Sequence, residues 1–286
     1  MHPTDIRSTF ERDGFVVIDD VVAPDTLVSL RERAASIVDE FVDADAPAFT
    51  TRNDAPSRDA YFLESATTIR CFFEEGARDE RGRLRVPKPL AINKIGHALH
   101  ELDPVFAAFT RDARFDAIAR ALGMNDPLVY QSMYIFKQPH IGGVVDWHQD
   151  ATFFATEPQT VLTFWFALEA AHRENGCLLV ERGGHRSPLR AQFVRDGDTT
   201  RMEARDALPW PAATSAAAVE VAAGALVVMH GLLPHYSAPN RSSSSRHAYT
   251  LHVTDGTARY DARNWLRRTP EFPARGFVSP RPPSAP

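Results

Sequence analysis

Val144-Val145-Asp146-Trp147-His148-Gln149-Asp150 is the stretch on which the reading of this chain turns. It opens on β-branched residues and predicts an extended run. In a strand, alternate side chains share a face, so His148 and Asp150 point one way while Trp147 and Gln149 point the other. That places an imidazole and a carboxylate where they can chelate one ion. Around this run, from Leu128 onward, come further short apolar or alternating segments: Val129 to Phe136, Val161 to Leu168, Cys177 to Glu181, Leu226 to Met229 and Tyr249 to Val253. Gly, Pro and Asn punctuate them, as strands joined by turns require.

Upstream the texture is helical. Asp5 to Arg12, then Pro24 to Phe41, read as helices either side of a strand at Phe15 to Ile18, with Leu27, Leu30, Ala34, Ile37, Val38 and Phe41 recurring at helical period. Ala98 to Leu122 reads as helix again, broken by Pro104 and closed by Gly123. Helices followed by many short strands predict an α+β fold whose core is an antiparallel barrel or two-sheet jelly roll. The 286 residues are read as one domain: a helical part over about 1–125, the strand-rich core over about 126–256 and a tail over 257–286. The stretch Val42 to Arg58 and the charged run Glu74 to Arg85 read as surface loops, and Gln192 to Ala218 as an insertion over one mouth of the barrel. Pro270 to Pro286, rich in proline, is expected to trail over the surface.

Composition narrows the function classes. Hydrophobic residues at 44% and charged residues at 24% are the balance of an ordinary globular protein. A net charge of −5 supplies no basic field for a phosphate backbone, which argues against a nucleic-acid partner. Cys71 and Cys177 are too few for a disulfide framework, and no run of about 18 apolar residues is present to span a bilayer. The expectation is a cytoplasmic protein without a membrane partner, acting on a small molecule, its oligomeric state open.

A third metal ligand has to come from elsewhere in the barrel. Met229-His230-Gly231-Leu232-Leu233-Pro234-His235-Tyr236-Ser237 offers two histidines, His230 and His235. Two imidazoles and one carboxylate leave coordination positions open, which suits an iron(II) oxygenase site and not a closed structural zinc site. A 2-oxo acid co-substrate then needs an anchor for its far carboxylate. Arg246 lies downstream, and a planar guanidinium matches a carboxylate through paired hydrogen bonds. If Arg246 opens a strand, the small Ala248 and Thr250 share its face; Ser237 shares a face with His235 if that segment is extended.

The order His148-x-Asp150, His235-x-Ser237 followed by Asn240, then Arg246, resembles the phytanoyl-CoA dioxygenase family of iron(II)- and 2-oxoglutarate-dependent enzymes. Ala91-Ile-Asn-Lys-Ile-Gly-His-Ala-Leu-His, Gln131-Ser-Met-Tyr-Ile-Phe-Lys-Gln-Pro-His, Glu174-Asn-Gly-Cys-Leu and Ser245-Arg-His-Ala-Tyr-Thr-Leu-His carry the resemblance from about Phe10 to Phe277. It implies a cupin-like, double-stranded β-helix core with flanking N-terminal helices. It also implies iron bound by His148, Asp150 and His235, and 2-oxoglutarate contacts at Lys94, Met133, Trp165, Ser237 and Arg246. Dioxygen would be the second co-substrate, succinate and carbon dioxide the by-products, and hydroxylation of an unactivated carbon the outcome. The family's Asp150 counterpart separates hydroxylases from related halogenases, which lack it.

One departure stands out: the family often writes Pro-Gly-Ser-His where this chain has Arg182-Gly-Gly-His185, in a loop expected near substrate. By the same resemblance His230 has the wrong offset to Arg246 and becomes a supporting or core histidine. His97, His100, His140, His172, His185, His247 and His252 build no second site by spacing and read as structural or exposed. Two other classes remain open from the residues: a 2-oxoglutarate-binding sensor of the same fold that does not turn over, and a zinc hydrolase using the same three ligands.

Overall fold

Two central strands show why this sequence builds layers. In Leu162–Ala167, Leu162, Phe164 and Phe166 join one hydrophobic cluster while Trp165 and Ala167 join another. In Ala248–Asp255, Tyr249, Leu251 and Val253 go to the first cluster and Ala248 to the second. Each strand is thus buried on both faces, with successive apolar residues alternating between the two clusters. A computed structural model of the protein describes residues 3–42, 46–48 and 60–278.

The major sheet has seven antiparallel strands in the order β1 (Phe15–Ile18), β12 (Leu226–His230), β7 (Leu162–Ala167), β14 (Ala248–Asp255), β4 (Pro127–Ile135), β3 (Ile92–His97) and β2 (Ile69–Phe73). The minor sheet has the order β11 (Ala217–Val219), β8 (Leu178–Val180), β13 (His235–Ser237) and β5 (Val145–His148). Leu178 and Val180 of the minor sheet pack with Trp165, Val227 and Met229 of the major one, which closes the two sheets face to face as a jelly roll. Two further antiparallel pairs complete the strands: the hairpin of β9 (Ala191–Asp196) with β10 (Thr199–Ala204), and β6 (Thr156–Glu157) with the sequence-distant β15 (Arg259–Tyr260). The α+β jelly roll is the fold the sequence predicts.

Helices cover the far face of the major sheet. Helix α1 (Pro3–Asp13) precedes β1, and α2 (Pro24–Glu40) buries Leu30, Ala34, Ile37 and Val38 of the predicted stripe, with Leu27 and Phe41 partly buried against the same core. Short helices α3 (Ala60–Glu64) and α4 (Lys88–Ala91) flank β2 and β3. The helix expected over Ala98 to Leu122 is three pieces, α5 (Leu99–Leu102), α6 (Pro104–Thr110) and α7 (Ala113–Ala121). Asp103 and Asp112 cap the last two by accepting from Val105 N, Phe106 N and Arg114 N, so each break satisfies the amide groups it frees. Phe106 and Phe115 from these pieces are fully buried, each worth about 1.5–3 kcal/mol of burial.

The stretch read as mainly helical also supplies β2 and β3, so the sheet recruits its outer strands from before residue 126. The expected loop over Val42 to Arg58 falls largely outside the described residues. In the charged run, Glu74 is buried and accepts from Asn93 Nδ2, whereas most of the rest is exposed. The tail does not simply trail: Phe277 is fully buried against Phe115 and Phe164, and Arg275 O accepts from Val129 N. An aromatic at that position has an apolar slot to fill; the end of the tail, residues 279–286, lies outside the described residues.

Candidate metal centre and co-substrate cavity

His148 ends β5 and His235 opens β13, and the two are directly paired across the minor sheet. Their rings lie 4.0 Å apart. Strand β5 stops at His148, so Asp150 stands on a 3-10 turn and not in the extended run the sequence predicts. The turn is pinned by Ala151 N donating to Gly231 O, and by buried Gln149, whose Nε2 donates to Pro188 O and Leu232 O. Asp150 Oδ1 consequently lies 3.6 Å from His148 Nε2 and 3.7 Å from His235 Nε2. The ligand atoms of these three residues all fall within 4.8 Å of one another.

The donor set fits a divalent ion. His148 Nδ1 is 2.8 Å from Asp146 O and His235 Nδ1 is 3.0 Å from Leu233 O, so each ring that donates there presents a bare Nε2 to the carboxylate. Burial, and then the neighbouring His235, push the His148 imidazole down to about 3, which keeps it neutral and able to ligate. For Asp150, burial would raise the carboxyl, but His235, His252 and His148 outweigh it and hold the group well below the usual carboxylate range. Thr163 Oγ1 donates to Asp150 Oδ2 at 2.5 Å, and His252 Nε2 stands 3.5 Å from Oδ1.

All three residues open into a cavity of about 520 Å³ between the sheets, also lined by Lys94, Met133, Trp165, Ser237 and Arg246. Arg246 is buried with its guanidinium carbon 5.4 Å from the Trp165 ring centre. Its Nε donates to Gly176 O at 3.2 Å and one terminal nitrogen to Ser237 Oγ at 3.3 Å, while Nη1 finds no partner among the described residues. Burial lowers its ordinary value to about 10, so it stays a cation at neutral pH. Gly176 is what lets that carbonyl come close: its φ is +82°, and a Cβ there would lie 2.6 Å from Lys137 Cε. Lys94 Nζ lies 3.7 Å from Met133 Sδ. Met133 and Trp165 both pair with Thr250 of β14, from opposite sides.

The sequence pattern described as "Phytanoyl-CoA dioxygenase (PhyH)" matches residues 10–248. The chain belongs to that family. A phytanoyl-CoA dioxygenase of Arabidopsis thaliana is 40% identical over 279 residues, covering 95% of each chain. A phytanoyl-CoA dioxygenase domain-containing protein 1 homolog of Caenorhabditis elegans is 41% identical over 278 residues, covering 94% of this chain and 96% of the relative. Among solved structures, the epimerase SnoN in complex with Fe3+, alpha ketoglutarate and nogalamycin RO superposes with a TM-score of 0.64 at 16% identity, over 98% of this chain and 96% of that one. EctD from S. alaskensis with 2-oxoglutarate and 5-hydroxyectoine gives 0.59 at 20% identity, over 98% and 84%. Those two establish the likeness of fold.

In this dioxygenase-family chain, His148, Asp150, His235, Lys94, Met133, Trp165, Ser237 and Arg246 all line the same cavity. His230 and His185 do not: their rings pack 5.3 Å apart behind the sheet, and His230 Nδ1 accepts from Leu232 N. The loop at Arg182 to His185 also turns away, because Arg182 pairs with Asp13 at 2.5 Å; beyond that loop, just before β9, Arg190 lines the cavity. Sequence reading overlooked His252 and Thr163 beside Asp150. The alternation used for Arg246, Ala248 and Thr250 lands on His252 when carried two residues further. Lys137 was overlooked too: it is buried, lines the cavity, and donates to Gly143 O and Ser237 O. Burial and then Arg246 push it well below the usual lysine value.

Proposed function

We propose that the chain is an iron(II)- and 2-oxoglutarate-dependent dioxygenase that hydroxylates a small-molecule or lipid-like substrate. His148, Asp150 and His235 hold the iron, and Arg246 takes the far carboxylate of 2-oxoglutarate. The observation that carries the reading is the coexistence, in one cavity, of three ligand atoms within 4.8 Å and a buried guanidinium whose Nη1 has no partner among the described residues. A buried cation short of partners is costly, and a dicarboxylate supplies the missing acceptor.

When bound, iron(II) with 2-oxoglutarate would supply dioxygen activation, with succinate and carbon dioxide released and oxygen inserted into a C–H bond. The chain's own residues set the conditions. The carbonyls of Asp146 and Leu233 fix the two imidazoles, and Thr163 and His252 fix the Asp150 carboxylate. Lys94 brings a further donor toward the co-substrate, Ser237 holds the Arg246 guanidinium by accepting from it while donating to Gly176 O, and Met133 and Trp165 form apolar walls that exclude water. The same reading treats residues 1–286 as one domain, supported by strands on both sides of residue 126 sharing the major sheet. It places the protein in the cytoplasm, supported by Cys71 and Cys177 being buried free thiols. No helix among the described residues is long and apolar enough to cross a membrane.

The test is succinate formation from 2-oxoglutarate in air, with iron(II) added or chelated, across a panel of small organic substrates. Iron-dependent succinate release stimulated by one substrate class is expected. Iron binding without any succinate release from the whole panel would turn the reading toward a sensor.

A further inference from the structure

Two arginines line the cavity, and the co-substrate accounts for only one of them. Arg190 is 4% exposed, and its Nε and Nη1 have no hydrogen-bond partner among the described residues. Its remaining terminal nitrogen reaches Glu181 Oε2 at a long 3.5 Å, and that carboxylate is itself partly exposed. Burying a guanidinium this poorly partnered is unfavourable unless something else completes it. Arg246 shows the same signature at the co-substrate end.

Arg190 is also held in register with the metal centre. Its backbone N donates to Gln149 Oε1, on the residue between His148 and Asp150, and its backbone O accepts from Arg205 N and Asp206 N. Trp210 lies over the guanidinium, 4.5 Å from ring centre to Cζ, and is 36% exposed. Around it the cavity wall is apolar, from Met202, Ala204, Ala207 and Leu208. Asp206 lines the same mouth, but its carboxylate accepts from Leu208 N and makes no ion pair with Arg190.

We propose that Arg190 is a second oxyanion site, which receives a carboxylate or phosphate on an otherwise apolar prime substrate and so sets which of its carbons faces the metal. The proposal rests on the oxygenase reading and names its substrate class. The guanidinium has unpartnered donors at Nε and Nη1 with which to meet the anion, Trp210 lies over it, and the apolar wall takes the substrate body.

The experiment is calorimetric titration of the oxygen-free protein carrying iron(II) and saturating 2-oxoglutarate, which keeps Arg246 occupied. Octanoate, octyl phosphate and the neutral octanamide are the probes. At least one anion is expected to bind about ten-fold tighter than octanamide, and which anion wins tells carboxylate from phosphate. R190M is expected to erase that preference, and E181Q, which removes the competing carboxylate, to strengthen it. Equal binding of anion and amide by the unaltered protein, no anion binding, or a preference that survives R190M would each overturn the proposal. Should R190M fail to fold, E181Q decides: unchanged or weaker anion binding contradicts it. The 2-oxoglutarate titration that precedes the probes reports on the oxygenase reading separately, since failure there leaves Arg246 and not Arg190 in question.

Discussion

Trp265 and Trp210 line one cavity, yet Trp265 is 2% exposed, packed on Phe62 and His97, whereas Trp210 is 36% exposed on an irregular segment above Arg190. The metal end of the cavity follows the first pattern: its side chains stand on strand ends and a pinned turn. The mouth follows the second, with residues 205–212 outside any regular element. The contrast teaches a division of labour, in which the sheets fix the ligands and the β9–β10 hairpin with the segment after it shapes what enters.

Asp150→Ala should give the largest effect. With the carboxylate gone, iron affinity should fall by more than about a hundred-fold and succinate formation to background, read by metal content and product assay. Retained iron at one ion per chain would break the distinction between a rigid metal end and the mouth. Next comes the tryptophan pair itself. Trp265→Ala should cost about 3–5 kcal/mol in denaturant unfolding, and Trp210→Ala less than about 1 kcal/mol. Similar losses for both would show that the mouth is as rigid as the wall. Smallest is His252→Phe, which keeps the stack on Phe154 at 4.8 Å but removes the nitrogen beside Asp150. Iron should bind about ten-fold more weakly, with the 2-oxoglutarate affinity of the metal-loaded protein little changed.

Much of this was legible because period-2 alternation is local information. His148, His235, Ser237 and Arg246 announce themselves by residue type and spacing, and the apolar stripe of α2 by its helical period. What stayed hidden depends on contacts distant in sequence. Alternation gives His252 its face but not its partner; nothing near Thr163 says that it meets Asp150, and nothing near Phe277 says that a slot between Phe115 and Phe164 awaits it. The 3-10 turn at Asp150 is likewise set by Gly231 O, far along the chain. Strands β2 and β3 were missed because β3 carries Asn93 and Lys94 beside Gly96, a mixed pattern that only pairing with β4 makes extended.

The central claim is that one cavity binds metal and oxo acid together, and titration of 2-oxoglutarate into oxygen-free protein tests it most directly. With iron(II) present, a single site per chain is expected, weakened markedly when iron is withheld and about ten- to hundred-fold by Arg246→Lys, which loses the paired guanidinium geometry. Binding that is indifferent both to iron and to Arg246→Lys would contradict the account.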